Sequence, residues 1–206
     1  MTGMEVKRER KSRLGRPRAF DADRALEAAL KVFWRMGYEG ASLPQLTKAM
    51  RINRPSMYAA FGNKEELFRK VVDRYSSAAC THIQCALAKP TARDVATALL
   101  RGTAEQLSDS KHPAGCLLVQ GALACGAGAA CARKELAARR AMGEAAIRKR
   151  FERAAREGDL PKGADPAELA RYVATVQQGM SVQATSGASR KHLLQIADTA
   201  MRAWPV

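Results

Sequence analysis

The chain has 206 residues, 47% of them hydrophobic, which predicts one or two small folded domains and excludes a disordered chain. Its longest apolar runs are far shorter than the ~20 residues of a membrane-spanning helix, and its basic N-terminus lacks the apolar segment of a signal peptide. Lys and Arg number 35 against 20 Asp and Glu, and this net charge of +15 favours a polyanionic partner, namely DNA, RNA or an anionic membrane.

Cysteine and histidine usage argues against a metal centre, a cofactor and a disulfide framework. The five cysteines are odd in number and contain no CxxC pair, and the three histidines lack metal-ligand spacing. We therefore expect reduced thiols in a cytoplasmic protein that holds no metal or cofactor. No HExxH, GxSxG or Walker pattern supports the competing hypothesis of an all-helical enzyme.

Residues 1–18 are predicted to form a flexible basic arm. From Lys7 to Arg18 there are seven cations and one acid, and Gly15 and Pro17 disfavour a helix. A folded segment follows, because Asp21 is a good N-cap and the next apolar residues recur on one helical face. These residues are Leu26, Ala29, Leu30, Phe33 and Trp34.

Two short helices are predicted after Gly37, which ends the first one. Ser42 and Gln45 have the spacing of a capping box, so a second helix should cover 42–50. After a three-residue turn, Asn53 is a plausible N-cap for a third helix over roughly 54–60. Two short helices joined by such a turn, behind a basic arm, have the organisation of a helix-turn-helix.

The remainder of the chain is also predicted to be helical. Asn63 should cap a fourth helix, with two glutamates in its first turn. The later helices are expected at about 91–108, 115–125, 129–158, 165–186 and 189–204. Strand-like alternation of polar and apolar residues is not found, so the fold class is all-α.

The segment 33–68, FWRMGYEGASLPQLTKAMRINRPSMYAAFGNKEELF, resembles the DNA-binding domain of the TetR/AcrR family of regulators. The resemblance implies a helix-turn-helix domain over 19–75, with its motif at about 42–61, and a helical effector-binding and dimerisation domain over 76–206. It also implies a transcriptional repressor that a small-molecule or thiol-reactive effector releases from a palindromic operator in double-stranded DNA. Whether binding represses or activates, and which effector is sensed, stay open.

The resemblance assigns the third helix to the major groove. Arg54 and Ser56 would face base edges, where an arginine suits guanine, and Pro55 would offer an apolar contact. Tyr58 and Lys64 would bind phosphates, although Tyr58 could instead serve packing and Lys64 could be a solvated charge. The expected DNA-contacting residues are Arg16, Arg18, Ser42, Gln45, Arg54, Pro55, Ser56, Tyr58 and Lys64.

The turn contains a departure from the family pattern. Arg51 occupies a position that is usually Gly, because the helix ends there with a left-handed residue. A residue other than Gly in that conformation costs ~1 kcal/mol. We therefore predict a slightly strained turn, with Arg51 available to a phosphate.

The last two helices, about 165–186 and 189–204, are implied to pair with those of a second subunit, although they could simply complete a monomeric core. In a homodimer each subunit would contribute its third helix as a reading helix, the helix that contacts base edges. The two reading helices would lie ~34 Å apart, which is one turn of DNA. The central helices would enclose the effector pocket, whose expected residues could equally be ordinary core. They are Cys116, Leu118, Gln120, Met142, Ile147, Tyr172, Val176 and Met180.

Two further alternatives stay open. Cys116 is predicted at a helix start, where the dipole favours a thiolate, so it is either a sensor of oxidants and electrophiles or inert packing. An architectural protein that binds DNA without sequence preference would keep the basic arm and need no effector pocket. A specific regulator should keep its operator in a large excess of nonspecific duplex.

Overall fold

The computed structural model describes residues 20–123 and 127–205, and within these ranges it contains helices and no strand. The all-α prediction is thus confirmed. The predicted arm 1–18, with Arg16 and Arg18, lies outside the described residues. The helices are α1 Ala22–Gly40, α2 Leu43–Met50, α3 Arg54–Phe61, α4 Lys64–Leu87, α5 Ala92–Leu107, α6 Leu117–Leu123, α7 Ala130–Arg156, α8 Pro166–Thr185 and α9 Arg190–Arg202. None of them combines the length and apolarity that crossing a bilayer requires.

Local side-chain chemistry sets the starts of the helices. The Asp21 carboxylate accepts hydrogen bonds from two amides of the first turn of α1, at 3.0 and 3.2 Å. Asn53 accepts from the Ser56 amide at 2.8 Å, and Asn63 forms a reciprocal capping box with Glu66. Each of these contacts satisfies amide groups that have no partner inside the helix. The predicted caps are therefore confirmed.

The regular part of α1 ends where the sequence predicted. Gly37 has φ 68° and ψ −178°, which interrupts the helical geometry before one more turn reaches Gly40. Space allows a side chain at Gly37, since a Cβ added there would meet nothing within 4 Å. The left-handed backbone, and not crowding, is thus what favours glycine at this position.

The first hydrophobic core joins α1–α4 to residues from the second half of the chain. Phe33, Leu46 and Met57 are fully buried in it, and so are Leu117 of α6 and Leu136 of α7. The helix-turn-helix domain therefore packs directly on α6 and α7. Any movement of these two helices acts on the packing of the helix-turn-helix domain.

The second core lies between α5, α7, α8 and α9. Leu99, Val173 and Leu193 are fully buried there, and the rings of Phe151 and Trp204 meet edge to face with centroids 5.3 Å apart. Helix α4 connects the two cores, because its first three turns lie in one and Ala86 lies in the other.

Candidate functional site

The turn between α2 and α3 has the left-handed residue that the sequence predicted. Arg51 has φ 55° and ψ 40°, and it is the one residue other than Gly with positive φ in the described part of the chain. Its amide donates to the Lys48 carbonyl at 3.2 Å, and the Ile52 amide donates to the Thr47 carbonyl at 3.1 Å. These bonds close the end of α2 and turn the chain into α3.

Helix α3 buries one face and exposes the other. Met57 and Phe61 are buried against the first core, whereas Arg54 and Pro55 are exposed and Tyr58 is 46% exposed. The alternative that Tyr58 only packs in the core predicts a buried ring, and a ring with this exposure does not fit it. A large aromatic side chain that projects from a helix-turn-helix is available to a partner.

Ser42 and Gln45 are committed to the start of α2. The Ser42 amide donates to Gln45 Oε1 at 2.9 Å, the Ser42 hydroxyl donates to the same oxygen at 2.7 Å, and the Gln45 amide donates back to Ser42 Oγ at 3.4 Å. Both side chains are exposed. Both residues therefore cap α2 whether or not a partner is bound. Because the cap uses Gln45 Oε1, the Nε2 group of Gln45 is left to donate a hydrogen bond to a partner.

Lys64 is the first residue of α4 and packs on an aromatic ring. Its Nζ lies 4.7 Å from the centroid of the Tyr38 ring, and burial lowers the pKa of Lys64, a change that nearby Glu39 opposes. The Tyr38 contact is not visible in the sequence, because it depends on how the last turn of α1 folds back. The ring restricts the lysine to one region at the helix N-terminus.

The helix-turn-helix surface is purely cationic in its formal charges. Residues 42–61 include Lys48, Arg51 and Arg54 and contain no Asp or Glu. All three cations are exposed. A convex helical surface of one charge sign attracts a polyanion and repels an acidic protein surface.

A cavity of about 290 Å³, partly open to solvent, lies between α4, α5, α7, α8 and the segment at the start of α6. Of the eight expected pocket residues, Cys116, Leu118, Met142 and Ile147 line it. Its polar lining includes side chains that the sequence analysis missed, because they interrupt apolar stripes and resemble surface positions. They are Ser76, His82, Thr103, Gln106, Gln177, Gln178 and Ser181.

The other four expected pocket residues are placed elsewhere. Gln120 donates to the Ala114 carbonyl at 3.3 Å, and the Tyr172 hydroxyl donates to the Ala200 carbonyl at 2.8 Å. Met180 is fully buried in the second core, and Val176 lines a groove between α8 and α9. Residues Tyr172 and Val176 therefore lie on the α9 side of α8, whereas the cavity is on the α5 and α7 side.

Cys116 connects the cavity to three helices. Its Sγ accepts a hydrogen bond from the Tyr75 hydroxyl at 3.1 Å, and its amide donates to Ser181 Oγ at 2.8 Å. The preceding carbonyl, that of Gly115, accepts from Trp34 Nε1 of α1 at 3.2 Å. Burial, and then the neighbouring Cys116, raise the pKa of Tyr75 well above its usual value. Tyr75 is therefore a neutral donor at physiological pH.

One face of α8 has the composition of an interface. From Tyr172 to Thr185 the helix has no charged residue, although Thr175 and Gly179 are exposed and Val182 is 42% exposed. Uncharged exposed residues along three helical turns are unusual for a solvated surface.

Comparisons with known proteins agree with these features. A family model described as bacterial regulatory proteins, tetR family, matches residues 25–71. The chain is 35% identical to the HTH-type transcriptional repressor ComR of Escherichia coli (strain K12), over 95% of this chain and 94% of ComR. The TetR family transcriptional regulator CifR, solved as a cysteine mutant complexed with 26bp double-strand operator DNA, is 43% identical with a TM-score of 0.89, over 92% of this chain and 100% of CifR. The reduced form of E. coli NemR, at 20% identity and a TM-score of 0.75 over 89% of this chain and 97% of NemR, supports the fold alone.

Proposed function

The chain belongs to the TetR family of DNA-binding transcriptional regulators, which are not enzymes, and from this premise we propose that it is a cytoplasmic repressor released from its operator by a small-molecule effector. The observation that carries the proposal is the exposed face of α3, where Arg54, Pro55 and Tyr58 project from a cationic helix-turn-helix. Support also comes from the name of ComR, a repressor, and from the complex of CifR with operator DNA.

We assign the DNA contacts according to chemistry and exposure. Arg54 would bind a guanine through O6 and N7, and Pro55 and Ser56 would lie beside it against base edges. The Tyr58 hydroxyl and Lys64 Nζ would bind phosphates, which position the helix without reading sequence. Ser42 and Gln45 would touch the backbone through the groups that capping leaves available, and Arg16 or Arg18 would reach the minor groove.

Sequence-specific binding is tested by selecting, with the full-length protein, the fragments of genomic DNA that it binds. We expect a palindromic sequence with half-sites one helical turn apart, and binding that survives a large excess of nonspecific duplex. On the selected operator, Arg54→Ala should weaken binding about tenfold or more and relax the base preference at one position of each half-site. Tyr58→Phe should weaken binding about tenfold with an unchanged salt dependence, because no charge is removed.

The matched control is Lys162→Ala, which removes one exposed cation from the turn before α8. Its affinity should stay close to that of the parent at physiological salt. If no fragment is enriched over random DNA, or if Lys162→Ala weakens binding as much as Arg54→Ala does, the sequence-specific function is wrong. The architectural alternative would then be the better explanation.

We propose that the operator is bound by a homodimer formed through α8 and α9. The uncharged face of α8 and the groove between α8 and α9, lined by Val176 and Ile196, would be covered by the same surface of a second copy. Val182→Arg should give a monomer near 22.3 kDa in sedimentation, because a charge would be buried without a partner. Met36→Arg on α1 is the matched control, since Met36 is 44% exposed, and it should remain dimeric.

We further propose that the cavity at Cys116 is where the effector acts. An occupant, or a covalent adduct on the thiol, would displace the segment that connects Trp34 of α1 to Ser181 of α8. A movement of α1 changes the spacing of the two reading helices and so weakens operator binding. This route explains how a ligand outside the DNA interface controls it.

The thiol-reactive form of the proposal is tested with iodoacetamide on the operator complex. Parent protein and the Cys80→Ser control, which lacks an exposed thiol on α4, should release the operator after alkylation. Cys116→Ser should keep it. If Cys116→Ser releases the operator as readily as the parent does, Cys116 is packing and only noncovalent effectors remain.

A further inference from the structure

We propose that the cavity selects an uncharged, compact, mainly apolar molecule that carries one hydrogen-bonding group, and that Ser76 recognises this group. The inference rests on the proposed function, in that the cavity is taken as the effector site. The starting observation is that Ser76 Oγ is buried and has no hydrogen-bond partner among the residues that the structure describes.

An orphaned hydroxyl in a cavity wall indicates a missing partner. A buried polar group without a hydrogen bond is costly, and a serine in a helix ordinarily bonds to a carbonyl one turn earlier. Ser76 lies on α4 directly after Tyr75 and lines the cavity. Rotation about its Cα–Cβ bond is all that is needed to direct the hydroxyl toward an occupant.

Two other polar side chains of the wall, Gln177 and Ser181, already have partners. Gln177 Nε2 donates to Thr103 Oγ1 at 2.8 Å, and Ser181 Oγ accepts from the Cys116 amide at 2.8 Å. A ligand group placed against Gln177 or Ser181 would compete with these bonds. Among the described residues that line the cavity, Ser76 has the buried side-chain polar atom without a partner, so one hydrogen-bonding group on the ligand is enough to satisfy it.

The charged side chains at the cavity are also engaged, which disfavours a charged ligand. Arg139 donates to Glu135 at 2.7 Å and pairs with Asp73, and Arg140 donates to the Leu118 carbonyl. Glu144 lies 3.8 Å from Arg171. An anion would compete with carboxylates already bound to Arg139, and a cation would have to leave water for a mainly apolar wall.

The volume sets the size of the molecule. A cavity of ~150 Å³ holds benzene, so about 290 Å³ has room for two fused aromatic rings. The apolar part of the wall that would contact such a body consists of Ile83, Leu99, Leu107, Leu118, Val119 and Ile147.

The probes are three two-ring molecules of nearly the same shape: 2-naphthol, 2-methylnaphthalene and 2-naphthoate. Binding to the full-length protein is measured by titration calorimetry or by the quenching of naphthalene fluorescence. We expect 2-naphthol to bind about tenfold tighter than 2-methylnaphthalene, the cost of leaving one buried hydroxyl unpaired, and 2-naphthoate to bind more weakly than 2-naphthol.

Ser76→Ala should abolish the preference for 2-naphthol over 2-methylnaphthalene. Its melting temperature should equal or exceed that of the parent, because the substitution removes an unsatisfied group. Ser77→Ala is the matched control, since Ser77 is the next residue of α4 and is exposed. It should preserve the preference.

Three results would overturn the inference: no binding of any probe up to its solubility, tightest binding of 2-naphthoate, or a Ser76→Ala variant that keeps the preference for 2-naphthol. Operator binding is measured first without probes, where its loss or retention reports on DNA binding alone, and then in the presence of 2-naphthol. If 2-naphthol binds as expected and the operator stays bound, the ligand class stands and the role of the cavity in release is refuted.

Discussion

Replacement of Arg51 by glycine should stabilise the protein and weaken its binding to DNA, two effects of opposite sign from one side chain. Arg51 is exposed and has φ 55°, ψ 40°, and its amide bond to the Lys48 carbonyl is made by the backbone. Glycine keeps that bond and removes the steric cost of a Cβ in the left-handed region. It also removes a cation from the surface that we assign to DNA.

The magnitude follows from two opposing contributions. Relief of the left-handed conformation is worth about 1–2 kcal/mol. The greater freedom of glycine in the unfolded chain offsets about 0.4–1 kcal/mol of this gain. The net stabilisation is thus between about 0 and 1.6 kcal/mol, with a central value of about 0.8 kcal/mol. Because 1 kcal/mol shifts the melting temperature of a protein of this length by about 2–4 °C, the central expected rise is about 2–3 °C.

Thermal unfolding followed by circular dichroism measures this rise, at one protein concentration because dimerisation makes the midpoint depend on it. Arg51→Ala is the matched control, since it removes the same charge and keeps the Cβ. Both variants should bind the operator more weakly, with the slope of log affinity against log salt reduced by about 1. Only the glycine variant should melt at a higher temperature. The reasoning on strain fails if Arg51→Gly melts at or below the parent temperature, or if Arg51→Ala gains as much.

Three further outcomes are expected. Lys64→Met should weaken binding to all duplexes and lower the salt slope by about 1, measured by fluorescence anisotropy; an unchanged slope would mean that Lys64 is only solvated. Trp34→Phe should cost about 1–3 kcal/mol in urea unfolding, because the buried Gly115 carbonyl loses its 3.2 Å hydrogen bond, and a cost near zero would contradict that bond. Tyr75 has a raised pKa in the folded protein. Its contribution to the free energy of unfolding is therefore complete below about pH 10, the usual tyrosine pKa, and is lost as the pH rises through the pKa of the folded state. Tyr75→Phe should therefore flatten the alkaline loss of stability, and an identical profile for both proteins would refute this.

The parts of the fold that the sequence predicted are those governed by local chemistry. Asp21, Ser42, Asn53 and Asn63 cap helices because their side chains reach amides two or three residues away, and that reach is visible in the sequence. These capping bonds do not depend on the rest of the chain. The left-handed conformation of Arg51 was instead predicted from the resemblance to a family in which that position is usually Gly.

The cavity was only half predicted, because its lining depends on which face of each helix packs against which neighbour. Tyr172 and Val176 fit an apolar stripe on α8, yet they lie on the side of α9. Gln177 is one residue further along, so it lies about 100° around the helix and lines the cavity. Periodicity identifies a buried face and cannot distinguish two neighbours that cover adjacent sectors of one helix.

The segment at Gly115 and Cys116 also has contacts that the sequence does not reveal, and the proposed regulation depends on them. In the sequence these residues mark only a helix start, whereas in the structure their backbone and thiol bind Trp34 of α1, Tyr75 of α4 and Ser181 of α8. A hydrogen bond is lost when its donor–acceptor distance grows by more than a few tenths of an ångström. Gly115 and Cys116 therefore cannot move away from a cavity occupant and keep all three bonds. An occupant large enough to displace Cys116 must therefore change the contacts of α1, α4 or α8. Since α1 lies in the core that supports the reading helix, and α8 lies on the proposed dimer face, either response alters how two copies present their α3 helices to DNA.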